Sequence, residues 1–110
     1  MTTSACRRSL VEVARHCGTI TYGDLGLAIG VSGPFIGQRL RTFLDEIDRS
    51  EHAAGRPLLC SLVVWKETRR PGTGFFDLAV RLGVHDGSDD EAFWRRELDR
   101  THSFHREGSG

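Results

Sequence analysis

A cysteine inside an apolar run, a cluster of acids, and arginines interleaved with amide and hydroxyl side chains are the residues of this chain whose types could do chemistry. Cys60 would serve as a nucleophile only as a thiolate, which needs a partner base. Its setting, Leu59-Cys60-Ser61-Leu62, supplies no neighbouring histidine, so it reads as an inert core thiol. Asp86, Asp89, Asp90 and Glu91 have the types for metal-dependent hydrolysis, but negative charge also favours a helix start, and that is the reading adopted. His16, His52, His85, His102 and His105 are scattered over surface-like positions. The three cysteines form no disulfide framework, and no Cys/His spacing matches a zinc site. No Gly-x-Ser-x-Gly elbow occurs. Pro71-Gly72-Thr73-Gly74 lacks the lysine and spacing of a phosphate-cradling loop. No catalytic residue, metal or cofactor is therefore expected.

The arginines carry more. Net charge is zero, yet residues 1–43 hold five arginines against two acids, whereas residues 75–110 hold eight acids against five arginines. Such segregation is an electrostatic hint about partners. Gln38, Arg39, Arg41 and Thr42 fall on the polar side of a helical period, and Arg69 and Arg70 lie in a Pro-Gly turn. Arginine suits bidentate contact with phosphate and guanine. The competing reading is a solvated helix face and a basic turn that aids solubility.

The elements that must position these residues follow from periodicity. Residues 4–17 read as an amphipathic helix with Cys6, Leu10, Val13, Ala14 and Cys17 on one stripe and Gly18 ending it. Thr21, with Asp24 three residues on, predicts the capped start of a short helix over 22–29 that turns Leu25, Ala28 and Ile29 inward and stops at Gly30. Pro34 is read as the first residue of a third helix, whose apolar stripe is Ile36, Leu40, Phe43, Leu44 and Ile47, running to about residue 49. Gly37 within it suggests close approach of a neighbouring group. Residues 50–57 read as a polar loop, Leu58–Trp65 as a buried strand, and Glu67–Gly74 as a basic turn. Phe75–Leu82 reads as a helix, or a strand leading into one, before Gly83. Ser88 and Glu91 suggest a capping box for a last helix over 89–104, with Phe93, Trp94, Leu98 and Thr101 inward. Residues 107–110 are expected to be a flexible tail or linker after a single domain over 1–106.

Three helices, the second short and joined to the third by a Gly-containing turn, fit a helix-turn-helix, with the basic turn as wing. The stretch Thr19-Ile20-Thr21-Tyr22-Gly23-Asp24-Leu25, then Ala28-Ile29-Gly30, resembles the opening of the DNA-binding domain of alkylguanine alkyltransferases and alkyltransferase-like proteins. Ile36-Gly37, Leu40-Arg41, Pro57 and Cys60…Val63-Val64 extend the likeness over roughly residues 18–65. It implies a winged helix-turn-helix that grips the minor groove and flips a damaged base. The departures are plain. The family's reactive Pro-Cys-His-Arg (Trp for Cys in the alkyltransferase-like branch) reads Leu59-Cys60-Ser61-Leu62 here, and the arginine it inserts into the base stack falls at Pro34. Alkyl transfer is not expected, and Phe35 is the remaining wedge candidate.

The expectation is thus a small α+β domain of winged-helix type: three N-terminal helices, a short sheet or hairpin, and C-terminal helices. It would bind double-stranded DNA without catalysis, through Tyr22, Phe35, Gln38, Arg39, Arg41, Thr42, Arg69 and Arg70, as the recognition part of a larger DNA-processing or restriction-type protein. The alternative is a protein-interaction or immunity-type protein whose acidic C-terminal helix binds a basic partner. An enzyme using Cys60 ranks last. No run approaches the ~20 apolar residues of a membrane span, so no membrane partner and a cytoplasmic location are expected.

Overall fold

Residues 3–108 are described by a computed structural model. The first helix, α1 (Thr3–Arg15), buries Cys6, Leu10 and Ala14, the i, i+4, i+8 stripe that the sequence predicts. Cys17 is not part of that stripe. It is exposed and sits in the left-handed region at φ 55°. The Gly18 amide donates to the Val13 carbonyl at 3.2 Å and the Cys17 amide to Ala14 at 3.0 Å. This is a Schellman closure with Cys17, rather than Gly18, in the C′ position.

Ile20–Thr21 forms β1, and Thr21 caps α2 (Tyr22–Ile29) by accepting the Asp24 amide at 3.1 Å. Gly30 ends α2 at φ 83°, a conformation suited to glycine. Tyr22, Leu25, Gly26 and Ile29 are buried, and Ala28, expected inside, is exposed. The next helix, α3 (Ile36–Ala53), starts two residues later than Pro34 suggested, because Phe35 takes a left-handed turn at φ 60° in front of it. It also runs four residues further than expected. The polar segment 50–53 is helical because Glu51, 0% exposed, accepts from both Arg7 (3.1 Å) and Arg56 (2.6 Å). Leu40, Leu44 and Ile47 are buried as the period requires.

The apolar run from Leu58 is mostly not a strand. Leu59–Leu62 is a 3-10 turn, and only Val63–Val64 (β2) is extended. The reason lies in its backbone hydrogen bonds, which side chains of other elements satisfy. Glu97 accepts the Leu58 amide at 2.8 Å, Asp48 accepts the Cys60 amide at 3.1 Å, and Trp94 donates to the Ser61 carbonyl at 2.8 Å. β2 pairs with β1 in parallel, Ile20 opposite Val63 and Thr21 opposite Val64. The expected short sheet is therefore a parallel pair closed by a helical crossover, and not a hairpin. The basic turn after β2 leads into α4 (Thr73–Arg81) instead of a returning strand.

Phe75–Arg81 is helical throughout, and the left-handed Gly83 follows its end. The last helix, α5 (Asp90–Gly108), is capped by Asp89, whose carboxylate accepts the Ala92 amide at 3.1 Å; Ser88, the expected cap, bonds Asp86 instead. Residues 107 and 108, expected in a flexible tail, belong to this helix, while 109–110 lie outside the described residues. Phe93, Trp94 and Thr101 face inward as predicted, joined by Glu97 and His105. Among the described residues the result is an α+β domain of five helices and one two-stranded sheet, its core centred where α1, α3, α5 and the 3-10 turn meet. Among the described residues, no helix is long and apolar enough to cross a membrane.

Candidate functional site

Helix α3 presents two faces with different fates. The stripe Leu40, Leu44, Ile47 enters the core, while Gln38, Arg39, Arg41 and Thr42 are exposed on the other side. At its N-terminus Phe35 is 74% exposed in a left-handed conformation, a backbone state costing on the order of 1 kcal/mol for a side-chain-bearing residue. An aromatic ring held out in solvent by such a turn is an unusual use of an apolar side chain.

Beside this face lies a cavity of about 540 Å³. Tyr22, Phe35, Gln38 and Arg41 stand on its lining, so the structure brings together four of the eight residues singled out in the sequence. Arg39, Thr42, Arg69 and Arg70 lie off it. Arg39 turns back to donate to the Ser32 carbonyl, Arg70 pairs with Glu91, and Arg69 is exposed in the left-handed region at φ 58°. Tyr22 is only 7% exposed, and its hydroxyl accepts the Gly72 amide at 2.9 Å. Its place is in the cavity wall rather than out on the surface at a helix start. Burial pushes its phenol above the ordinary value.

The walls depend on close glycine contacts. The Trp65 ring stacks, tilted, on Tyr22 with centroids 4.1 Å apart. It also lies against α3 at Gly37, where a Cβ would come within 2.6 Å of Cη2. This is the close approach that a glycine inside an otherwise regular helix pointed to. Gly74 admits the Arg41 guanidinium in the same way, at 3.0 Å from an added Cβ. The basic turn is thus folded onto the start of α3 through Trp65.

Two buried lining residues carry chemistry. Cys60, 4% exposed, donates its thiol hydrogen to the Leu44 carbonyl at 3.3 Å. Burial, and after it the neighbouring Asp48 carboxylate, push the thiol well above its usual range. A carboxylate beside a thiol opposes the thiolate, so this arrangement does not activate a nucleophile. Asp48, 1% exposed, uses Oδ1 to accept the Cys60 amide, while its Oδ2 has no hydrogen-bond partner. Burial lifts its pKa to about 7, and the negative charges of Glu97 and Glu51 add to the shift.

Asp48 went unmarked in the sequence, and Trp65 read as the end of the apolar run rather than as part of this site. A signal for the first was there. From Leu40 the buried positions run i, i+4, i+7, i+8 and i+11, which places Asp48 and Glu51 on the core side of the same helical period.

The acids at 86–91 are engaged locally. Asp86 accepts from the Ser88 amide and hydroxyl, which holds its carboxyl below the ordinary value. Asp90 meets His85 at 2.7 Å. His85 is itself buried, stacked on Phe93 with centroids 4.2 Å apart, and His105 is also buried, so neither belongs to the surface where the sequence suggested it. No protein-family model, curated protein or solved structure matches this chain.

Proposed function

We propose that the protein binds double-stranded DNA without catalysis, as a winged-helix-type recognition module of a larger DNA-processing or restriction-type protein. The observation that carries the reading is the exposed face Gln38, Arg39, Arg41, Thr42 of α3, introduced by a short capped helix and a tight turn, with the solvent-held Phe35 at its leading end. A helix of this kind places amide and guanidinium donors against base edges, and an apolar residue at its rim can wedge a base step. Arg69 and Arg70 stand in the turn that Trp65 folds against the same helix, where Arg69 would meet phosphate directly and Arg70 on leaving Glu91.

The alternative, a protein-interaction or immunity-type protein using an acidic C-terminal helix, has less support. Much of that helix's negative charge is spent inside the molecule: Asp90 meets His85, Glu91 pairs with Arg70 and Arg95, and Glu97 binds Leu58 and Arg100. Phe93 and Trp94 are buried and Trp65 is partly buried against the core, so the three form no exposed apolar patch.

Titration into labelled duplex at two salt concentrations tests the proposal. Saturable binding that weakens as salt rises is the expected result. No binding to duplex or single strands at low salt would overturn it and favour the protein partner.

A further inference from the structure

We propose that the cavity beside α3 is a binding site for a planar monocation of the amidinium or guanidinium class, with Asp48 as its counter-ion. It shares Phe35, Gln38 and Arg41 with the duplex reading but does not rest on it, and would survive its failure.

The charge balance of the lining points to the ligand's sign. The cavity is lined by two carboxylates, Asp45 and Asp48, and one guanidinium, Arg41. Arg41 Nε lies 3.8 Å from Asp45 Oδ2, so those two charges offset one another. Asp48 is left without a cation, and its Oδ2 accepts no hydrogen bond. A buried acceptor without a donor is costly, and a ligand N–H would meet that need. The remaining lining points to the ligand's shape. The Tyr22–Trp65 ring pair, Phe75, Leu44 and Leu78 form aromatic and aliphatic surface that suits a flat group. Aromatic faces also attract cations. A delocalised planar cation joins both properties and is less strongly hydrated than an ammonium, so it enters such a space more readily.

The groups around Asp48 define how the site responds to pH. Asp45 and Glu51 share its helix, Cys60 comes from the 3-10 turn, Tyr22 from α2 and Glu97 from α5. Glu51 is already held by Arg7 and Arg56, and Glu97 by Arg100. Asp48 has no cation partner, and burial lifts its pKa to about 7. Cation binding requires its ionised form, so affinity rises with pH through about 7.

Benzamidine titrated calorimetrically into the full chain tests this, with neutral benzamide as its control. The wild-type protein is expected to bind benzamidine saturably at millimolar concentration or below. Binding should weaken up to about tenfold from pH 8 to pH 6, following the ionised fraction of Asp48. Asp48→Asn, which keeps an acceptor for the Cys60 amide, should lose about tenfold or more in affinity and the pH response together. Benzamide should distinguish neither variant nor pH. Thr73→Trp, at an exposed lining position, should block the cavity while leaving the melting temperature near that of the wild type. N-acetylarginine methylamide separates the sources: binding comparable to benzamidine indicates a peptide arginine, and binding of benzamidine alone indicates a small amidine. No saturable binding of either cation, or equal affinity in wild type and a folded Asp48→Asn, would overturn the proposal.

Discussion

The Trp65 indole occupies the space that a side chain at position 37 would need: a methyl group on Gly37 would lie 2.6 Å from Trp65 Cη2 and 2.9 Å from Cζ2. Helix α3 and the basic turn are thereby locked at a distance that only glycine permits. Gly37→Ala should gain about 1 kcal/mol in helix propensity and lose about 1–3 kcal/mol to overpacking, a net loss of about 0–2 kcal/mol. The ring must shift whichever term is larger. Near-ultraviolet circular dichroism should therefore change through the broken Tyr22–Trp65 contact, even where the melting temperature barely moves.

The two faces of α3 should separate cleanly in stability measurements. Leu40 is fully buried, and Leu40→Ala is expected to cost about 2–5 kcal/mol. Arg41 is exposed and its partner Asp45 is 3.8 Å away, so Arg41→Ala should change stability by no more than about 0.5 kcal/mol. Urea denaturation of both variants provides the check. Equal losses would mean the helix is rotated from the orientation described.

Asp48 should make the fold less stable as pH rises. Its folded pKa, about 7, exceeds the ordinary carboxyl value, so the native state holds its proton more tightly than the unfolded chain between about pH 4 and 7. Stability assigned to this group is full below about pH 4, falls as pH rises and levels off above about 7. The local slope is at most about 1.4 kcal/mol per pH unit. Urea melts of wild type and Asp48→Asn at pH 5 and pH 8 should show the variant gaining relative stability at the higher pH.

Glu51 has the opposite sign. Although its burial acts to raise the pKa, the hydrogen bonds and charges of Arg56 and Arg7 prevail and hold it below the ordinary value. Its contribution is present above the usual carboxyl pKa and is lost as pH falls through the lowered one. Removing both arginines leaves the Glu51 carboxylate without its two cations. Arg7→Ala with Arg56→Ala should cost about 3–5 kcal/mol at pH 7, with the loss shrinking toward acid pH as Glu51 becomes neutral. Melts of the double variant at pH 4 and pH 7 test this.

Salt dependence tests the duplex reading at the level of residues. Each phosphate neutralised lowers log K by about 0.9 per decade of salt, and the few exposed cations imply a slope on the order of 3–5. Arg69→Ala with Arg70→Ala should weaken all duplexes alike and reduce that slope by about one to two. Arg39→Ala or Arg41→Ala should weaken binding unevenly across sequences, as loss of base contacts does. Fluorescence anisotropy on a panel of duplexes measures both.

Local pattern was enough to determine the capped start of α2 at Thr21, the apolar stripe Leu40, Leu44, Ile47 and the burial of Cys60. Each depends on residues a few positions apart, whose spacing the backbone geometry converts directly into a cap or a face. Other features were decided only by partners distant in the chain. Val63 pairs with Ile20, so the short sheet is parallel and no hairpin forms. Glu97, Asp48 and Trp94 supply the hydrogen bonds that let Leu59–Leu62 close into a 3-10 turn instead of extending as a strand. Arg7 lies 44 residues from Glu51 and draws what reads as a polar loop into helix and core. The exposed face of α3 was legible in the same periodicity, but the cavity beside it was not. Tyr22, Asp48 and Trp65 meet because three separate segments pack there, and no local spacing encodes the packing of separate segments.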